Sequence, residues 1–346
     1  METHQSRTTV TFVVPCYNSA AYMDRCLESL LTGAPDVEVV IVDDGSSEDD
    51  TPEKADQWAA RHPGVVRVIH QANKGHGGAV NAGLAAASGV YLAVVDSDDW
   101  LDRTALDAAL ITLRDLAASE RPVDLVITNY VYEHVASRTR KAIRFRGVLP
   151  EGRVFTWDEL GHFGPGQNLT IHTTIYRTQV LRDAGLELPE HTFYVDNIYV
   201  YAPLPHVQTL YYAPVDLYRY FIGRPDQSVN QTVLLGRLDQ HMLITRVMVE
   251  AVQLPDGAGN RRLAAYMISF LGMVVTISSV LAVIKGTPEA LAARRDMWAH
   301  IAATDPALKA RLARQPLVFG SNLPGPVGRG IARAGYTLAQ RIYRFN

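Results

Sequence analysis

The chain has 346 residues, 47% of them apolar, a formal net charge of −3 and a mean hydropathy of −0.02. That much apolar material buries one large core plus an appendage and excludes an intrinsically disordered chain. Two cysteines, Cys16 and Cys26, exclude a disulfide framework, and the polar residues 1–9 lack the apolar core of a secretion signal, so a cytoplasmic location is expected.

In chain order, the first predicted strand, residues 10–14, ends in Pro15, Cys16, Tyr17 and Asn18. A helix-like segment at 19–31 leads to a second β-branched run at 37–42, which ends in Asp43, Asp44, Gly45, Ser46 and Ser47. After a helical segment at 51–61, a strand at 65–70 opens onto the glycine-rich segment 73–83. Its glycines at 75, 77 and 78 permit close approach of backbone to a ligand, but Val80 stands where a dinucleotide fingerprint needs glycine. Then Val94 and Val95 deliver Asp96, Ser97, Asp98 and Asp99 to the end of a fourth strand. Strands alternating with helices predict a parallel sheet covered on both faces, and such sheets bind ligands at the carboxyl ends of their strands. All four polar clusters fall there.

Three carboxylates within four residues raise one another's pKa or require a cation, and hard oxygen ligands suit Mg²⁺ or Mn²⁺. An acidic turn that caps the next helix is the plainer alternative, and Asp99 suits a capping or supporting role in either case. A helix at 104–118, a strand at 124–132 and a basic, irregular segment at 135–155 follow, the last a candidate lining for an acceptor groove. A short helix starts at Trp157, residues 161–166 form a glycine-rich loop, and 173–183 combine a strand end with a helix. Asp196, among Phe193, Tyr194, Val195, Ile198 and Tyr199, is expected to be partly desolvated, which suits a general base. Arg224 lies in a loop with Gln227 and Ser228; its guanidinium either holds a diphosphate or pairs with Asp226. His172 reads as a core histidine.

Val14-Pro15-Cys16-Tyr17-Asn18, Asp43-Asp44-Gly45-Ser46, the segment 73–83 and Asp96-Ser97-Asp98-Asp99 resemble, in order and approximate spacing, the inverting GT-A glycosyltransferases of family 2, which take a sugar from a nucleotide-sugar donor. Weaker similarity around Asp196 and through 218–228 extends the resemblance over about residues 8–230. It implies an α/β fold of GT-A, Rossmann-like type: a mostly parallel sheet flanked by helices, in a domain 1–228 whose nucleotide-sugar half spans about 8–120 and acceptor half about 121–228. Residues 229–346 form a helical C-terminal region. The resemblance also implies that Asp96 and Asp98 position the donor through Mn²⁺ or Mg²⁺, with Asp98 as the stronger metal ligand. Asp43 or Asp44 accepts the imide N–H of a uracil framed by Pro15, Tyr17 and Asn18, while Gly75 and Ser97 flank the nucleotide. Thymine presents the same imide edge. Lys74 either touches a phosphate or closes a surface pair. Asp196 and Arg224 carry the catalytic roles of base and diphosphate clamp. The family usually has Glu-Asp where this chain has Val195-Asp196, which leaves the base but removes a second carboxylate. The expected acceptor is a glycan or lipid-linked hydroxyl in cell-surface polysaccharide synthesis; a nucleotidyltransferase or a silent nucleotide-binding scaffold are the rival readings.

Beyond residue 230 the pattern changes to helices at 232–252, 260–284, 288–301 and 331–344, with a Gly/Pro-rich break at 320–330. Residues 263–284 carry no charge and are long enough to span a membrane, but Ser269, Thr276, Ser278 and Ser279 favour a buried or interfacial helix. Residues 307–346 hold seven Lys and Arg and no Asp or Glu, which leaves −10 on the rest of the chain. A basic tail with Ile331, Ala334, Leu338, Ile342 and Phe345 at helical spacing predicts peripheral contact with an anionic membrane at the inner face of the plasma membrane, or a solvated helix face. No nucleic-acid motif accompanies it, so no nucleic-acid partner is expected.

Overall fold

Seven consecutive buried residues in each of the first two strands set the centre of the first unit. β1 (Val10–Cys16) pairs in parallel with β2 (Val37–Asp43), and both are buried at every position, as continuous β-branched runs in a sheet covered on two faces must be. In the computed structural model, residues 8–134, 138–164, 167–222, 231–251, 261–323 and 325–343 are described. Arg224, Gln227, Ser228 and the expected 228/229 boundary lie outside them. The chain divides into two compact units, Met1–Gly223 and Arg224–Asn346.

In the first unit, β3 (Val66–His70) extends the sheet beyond β2, and β4 (Tyr91–Val94) lies on the other side of β1, all parallel. The connecting helices are α1 (Met23–Leu30), α2 (Thr51–Arg61) and α3 (Gly75–Ala86). α1 buries Met23, Cys26, Leu27 and Leu30, one face at helical spacing, each fully buried large side chain contributing about 1.5–3 kcal/mol. It starts later than the predicted residue 19 because the Ser19 and Ala20 amides donate to Thr51 Oγ1 (2.7 Å) and Asp49 Oδ2 (2.9 Å) instead. Glu38 is tolerated inside β2 because Thr11 Oγ1 donates to it at 2.6 Å, the Ser88 amide at 2.9 Å, and Arg67 pairs with it at 2.8 Å.

The remaining strands are β5 (Trp100–Leu101), β6 (Leu125–His134), β7 (Thr139–Ile143), β8 (Val154–Phe155), β9 (Thr174–Arg177) and β10 (Leu210–Ile222). Helices α4 (Arg103–Ala118), α5 (Thr178–Asp183) and α6 (Asp196–Tyr201) complete the unit. The sheet runs β3-β2-β1-β4-β9-β6-β10-β5, with β7 beside β6 and β8 beside β10. β6 and β10 pair in parallel, whereas β9 is antiparallel to both its neighbours, β4 and β6. The long strand β10 is absent from the sequence reading. Pro214 obscures it: the register shifts between Tyr212 and Tyr218, and a bulge there accommodates a residue with no N–H to donate.

The second unit is helical: α7 (Gln231–Gly236), α8 (Leu238–Ala251), α9 (Arg261–Lys285), α10 (Pro288–Thr304), α11 (Pro306–Ala313), α12 (Pro316–Ser321) and α13 (Gly325–Tyr343). All six others pack against α9, which therefore reads as the core helix of this unit although it is long and apolar enough to cross a membrane. Ser278 Oγ lies 3.0 Å from Thr245 Oγ1, Thr276 Oγ1 donates to Gly272 O at 2.7 Å, and Gly272 leaves room for the side chain of Gln315. The predicted break at 320–330 is mostly helical, and α11 and α12 are additional. Each begins at a proline, which the first helical position accepts without losing a hydrogen bond, and Asp305 caps α11 by accepting from the amides of Ala307 and Leu308.

Candidate active site

The loops after β1, β2, β3 and β4 meet at the carboxyl edge of the parallel strands, and their polar side chains tie them together. Asn18, with φ of 47°, accepts through Oδ1 from the amides of Ser47 (3.1 Å) and Glu48 (3.2 Å), while its own amide donates to Ser46 Oγ (3.0 Å). Pro15 is buried in β1, and Tyr17 stands half exposed beside it. Asp43 and Asp44 are both buried. Asp43 accepts from the Ser46 amide (3.1 Å) and meets His70 Nδ1 at 2.8 Å; Asp44 Oδ1 accepts from Gln71 Nε2 (2.7 Å) and the Lys74 amide (2.9 Å). These contacts engage both oxygens of Asp43 and one of Asp44.

Several residues expected near the nucleotide have protein partners. Lys74 Nζ lies 3.0 Å from Glu190 Oε1, a surface pair. The buried Ser97 hydroxyl donates to Ser19 Oγ at 2.8 Å, as a hydroxyl removed from water requires. Cys16 is a packing group: burial pushes its thiol up to about 12. The glycine-rich segment is the first turns of α3, and its close approach is to the chain at 188–191. A Cβ on Gly77 would stand 2.5 Å from Pro189 O, and one on Gly75, which has φ of 75°, 3.0 Å from the His191 backbone. Asn81 completes this seam, donating to Leu188 O (2.8 Å) and accepting from the Leu188 amide (2.9 Å).

The acidic run after β4 divides by task. Asp96 is flanked by two imidazoles: His76 Nε2 from α3 at 3.0 Å and His172 Nε2 at 3.6 Å. Burial alone would raise its pKa, but the His172 and His76 rings outweigh it and hold the carboxyl well below the usual range. Asp99 goes the other way. Burial and the charges of Asp98 and Asp96 raise it, and it anchors β10 by accepting from Tyr218 Oη (2.7 Å) and the Phe221 amide (2.7 Å). It caps no helix: that role for α4 belongs to Asp102, which accepts from the Ala105 amide at 3.0 Å. Asp96, Asp99 and His172 present ligand atoms within 4.8 Å of one another, a mixed oxygen and nitrogen set of the kind that Mn²⁺ accepts. Asp98 is half-buried beside them.

His172 is thus part of the site and not a core histidine. Its ring lies 4.5 Å from that of Tyr218 and stacks at 4.7 Å on that of Tyr220, with Tyr130 at 5.9 Å. Tyr218 also accepts the Asp96 amide at 3.1 Å, so β10 supports both the carboxylate and the imidazole. Nearby, Gln167 braces a loop by donating to Arg144 O at 2.9 Å. Sequence reasoning passed over His76; its one signal is a histidine embedded between the glycines of the segment that follows β3.

Asp196 is the first residue of α6 and half-buried. Desolvation raises its pKa, opposed by the positive fields of His172 and His76 and assisted by Asp96, so it is electrically part of the same cluster. The loop that delivers it contains His191 at φ 50° and Tyr194 at φ 65°, conformations that non-glycine residues rarely adopt and that concentrate at functional sites. The His191 amide donates to Lys74 O at 2.7 Å, so α3 holds this loop while also presenting His76 to Asp96. A cavity of about 480 Å³ lies elsewhere, lined by Arg144, Arg146, Asp216 and Arg219 among others. Arg219 alternates along β10 with Tyr218 and Tyr220, which places the cavity on the opposite face of the sheet from the histidine cluster.

An open, mostly parallel sheet with an acidic cluster at its carboxyl edge, faced by a single desolvated aspartate, has the form of a GT-A glycosyltransferase domain. Residues 11–177 match the family model described as glycosyl transferase family 2, and this segment of the chain belongs to that family. Among curated proteins, the chain is similar to the succinoglycan biosynthesis protein ExoO of Rhizobium meliloti, 44% identical over 116 residues, which are 33% of this chain and 32% of that protein. It is also similar to the chondroitin synthase of Escherichia coli, 42% identical over 106 residues, 30% of this chain and 15% of that protein. The match thus spans about a third or less of these relatives' length. The structure of S. aureus TarS 1-349 in complex with UDP-GlcNAc shares the fold, with a TM-score of 0.63 at 20% identity over 97% of this chain and 91% of that one.

Proposed function

We propose that the protein is an inverting, metal-dependent glycosyltransferase that moves a sugar from a UDP-sugar to a hydroxyl of a glycan or lipid-linked acceptor during cell-surface polysaccharide synthesis. The observation that carries this reading is the convergence of Asp96, His76, His172 and Asp196 at the carboxyl edge of a family 2 domain. TarS, which shares the fold, is described with UDP-GlcNAc, and this supports a nucleotide-sugar donor. Asp96 and Asp98, with His172 close by and Asp99 bracing the turn behind them, would hold Mn²⁺ or Mg²⁺, which would neutralise charge growing on the leaving diphosphate.

The chain's own groups do the rest. Tyr17 offers a stacking face to the base and Asp44 Oδ2 an acceptor for its imide N–H. Asp196, with its raised proton affinity, takes the acceptor hydroxyl's proton as that oxygen attacks the anomeric carbon from the side opposite the leaving group, which inverts the centre. His76 and His172 hold Asp96 ionised and oriented. Arg224 meets the diphosphate. The protein acts in the cytoplasm, and a peripheral position at the inner face of the plasma membrane brings a lipid-linked acceptor within reach.

Thermal unfolding with a panel of UDP-, dTDP- and GDP-sugars and nucleoside triphosphates, with and without Mn²⁺, tests the donor assignment. Selective binding stabilises by mass action, about 2.7 kcal/mol at a hundredfold excess over Kd. A UDP-sugar with Mn²⁺ is expected to give the largest rise in Tm; stabilisation by triphosphates alone would favour a nucleotidyltransferase.

A further inference from the structure

We propose that α12 and α13 together form a seat for an anionic lipid surface. The apolar residues of α13 are divided between two faces. Gly328 and Ala332 are buried, and Ala332 and Tyr336 pack with Val280 and Val283 of α9, so positions 328, 332 and 336 form the inward face. Val327 and Ile331, one helical turn apart, point outward and are 77% and 48% exposed, and Ala334 continues the same face. On the neighbouring α12, Val318 is fully buried, while Leu317 and Phe319, on either flank of it, are 73% and 61% exposed. Of the expected stripe, Ile331 and Ala334 are exposed; the side chains of Leu338 and Ile342, and Phe345, lie outside what is described.

Four large apolar side chains exposed on two adjoining helices would be a liability in water. Their charge setting names the occupant. Lys309, Arg311 and Arg314, in α11 and just before α12, are exposed, Arg329 on α13 is half-exposed, and residues 307–346 contain no carboxylate side chain, while Arg333 turns its guanidinium to Val283 O at 3.2 Å. A solvated surface ordinarily interleaves both signs, and a symmetric contact with a second copy would bring this cationic face against itself. An anionic bilayer satisfies both features, with apolar side chains entering the interface and lysine and arginine meeting phosphate headgroups.

The test is co-sedimentation of the full chain with vesicles of phosphatidylcholine alone and of phosphatidylcholine with phosphatidylglycerol. It needs no sugar donor, so its outcome is independent of the proposed transferase activity. Binding to the mixed vesicles only, with release by salt, is expected. Replacing Leu317, Phe319, Val327 and Ile331 with Ser should abolish binding while leaving the circular dichroism unchanged, since all four are on the surface. The triple variant Lys309→Gln, Arg311→Gln, Arg314→Gln should weaken it about fivefold per charge, roughly two orders of magnitude in all. Equal binding to neutral vesicles, or binding that neither variant reduces, would overturn the proposal. So would a dimer, seen by analytical ultracentrifugation, that the serine variant dissolves without any vesicle binding by the parent chain.

Discussion

Asp96 and Asp99 are three positions apart and differ because of what faces them. Two imidazoles keep Asp96 ionised, whereas Asp99 is buried against β10 and serves as an acceptor for a tyrosine and a backbone amide. Removing Asp99 takes one acceptor from the buried Tyr218 hydroxyl and one from the Phe221 amide, and losing a buried hydrogen-bond partner costs about 1–3 kcal/mol. Asp99→Ala is therefore expected to lower Tm by several degrees, while Asp98→Asn leaves Tm nearly unchanged and weakens Mn²⁺-dependent UDP binding. Thermal unfolding beside a Mn²⁺ titration distinguishes them, and the reverse pattern would exchange their roles. Asp196→Asn should keep UDP and Mn²⁺ affinity but lose transfer by about 10²- to 10⁴-fold, the range of a positioned general base. Steady-state rates with near-parental activity would move the base to another residue.

Among the elements, α3 has the most consequences for its length. One end presents His76 to Asp96, and its glycines and Asn81 clasp the chain that leads to Asp196. Gly77→Val places a branched side chain against Pro189 O, so the clasp must open; the expected result is a loss of about 1–3 kcal/mol of stability together with a fall in kcat larger than the fall in UDP affinity. Unchanged kcat would detach α3 from the placement of Asp196. In the second unit, His241 on α8 is buried, and burial pushes its pKa from 6.5 down to about 4. Between those values the unfolded chain binds a proton that the folded chain refuses. Stability from this residue is thus fully present above pH 6.5 and declines as pH falls toward 4, by up to about 3 kcal/mol. Comparing Tm of the parent and His241→Gln across this window should show the parent falling more steeply; parallel curves would mean that His241 is not held neutral.

Over the whole molecule, legibility follows the distance between cause and effect along the chain. β1 to β4 and their polar ends are readable because each motif sits where a β-branched run stops. His172 is not, because it reaches Asp96 only after β9 inserts antiparallel between β4 and β6, and no local periodicity encodes that crossing. The inward turn of Ser97 and the pairing of Lys74 with Glu190 likewise depend on partners delivered by other loops. α9 was ambiguous for a related reason: an uncharged helix of that length serves a bilayer or a helical core, and the six helices around it favour the core. The central claim, metal-dependent sugar transfer from a UDP-sugar, is tested most directly by incubating the purified chain with nucleotide sugars and nucleoside triphosphates in turn, with Mn²⁺ or EDTA, and resolving the nucleotide products. UDP released from a UDP-sugar in Mn²⁺, abolished by EDTA and by Asp196→Asn, is the predicted result; pyrophosphate released from a triphosphate, or UDP release indifferent to EDTA, would contradict it.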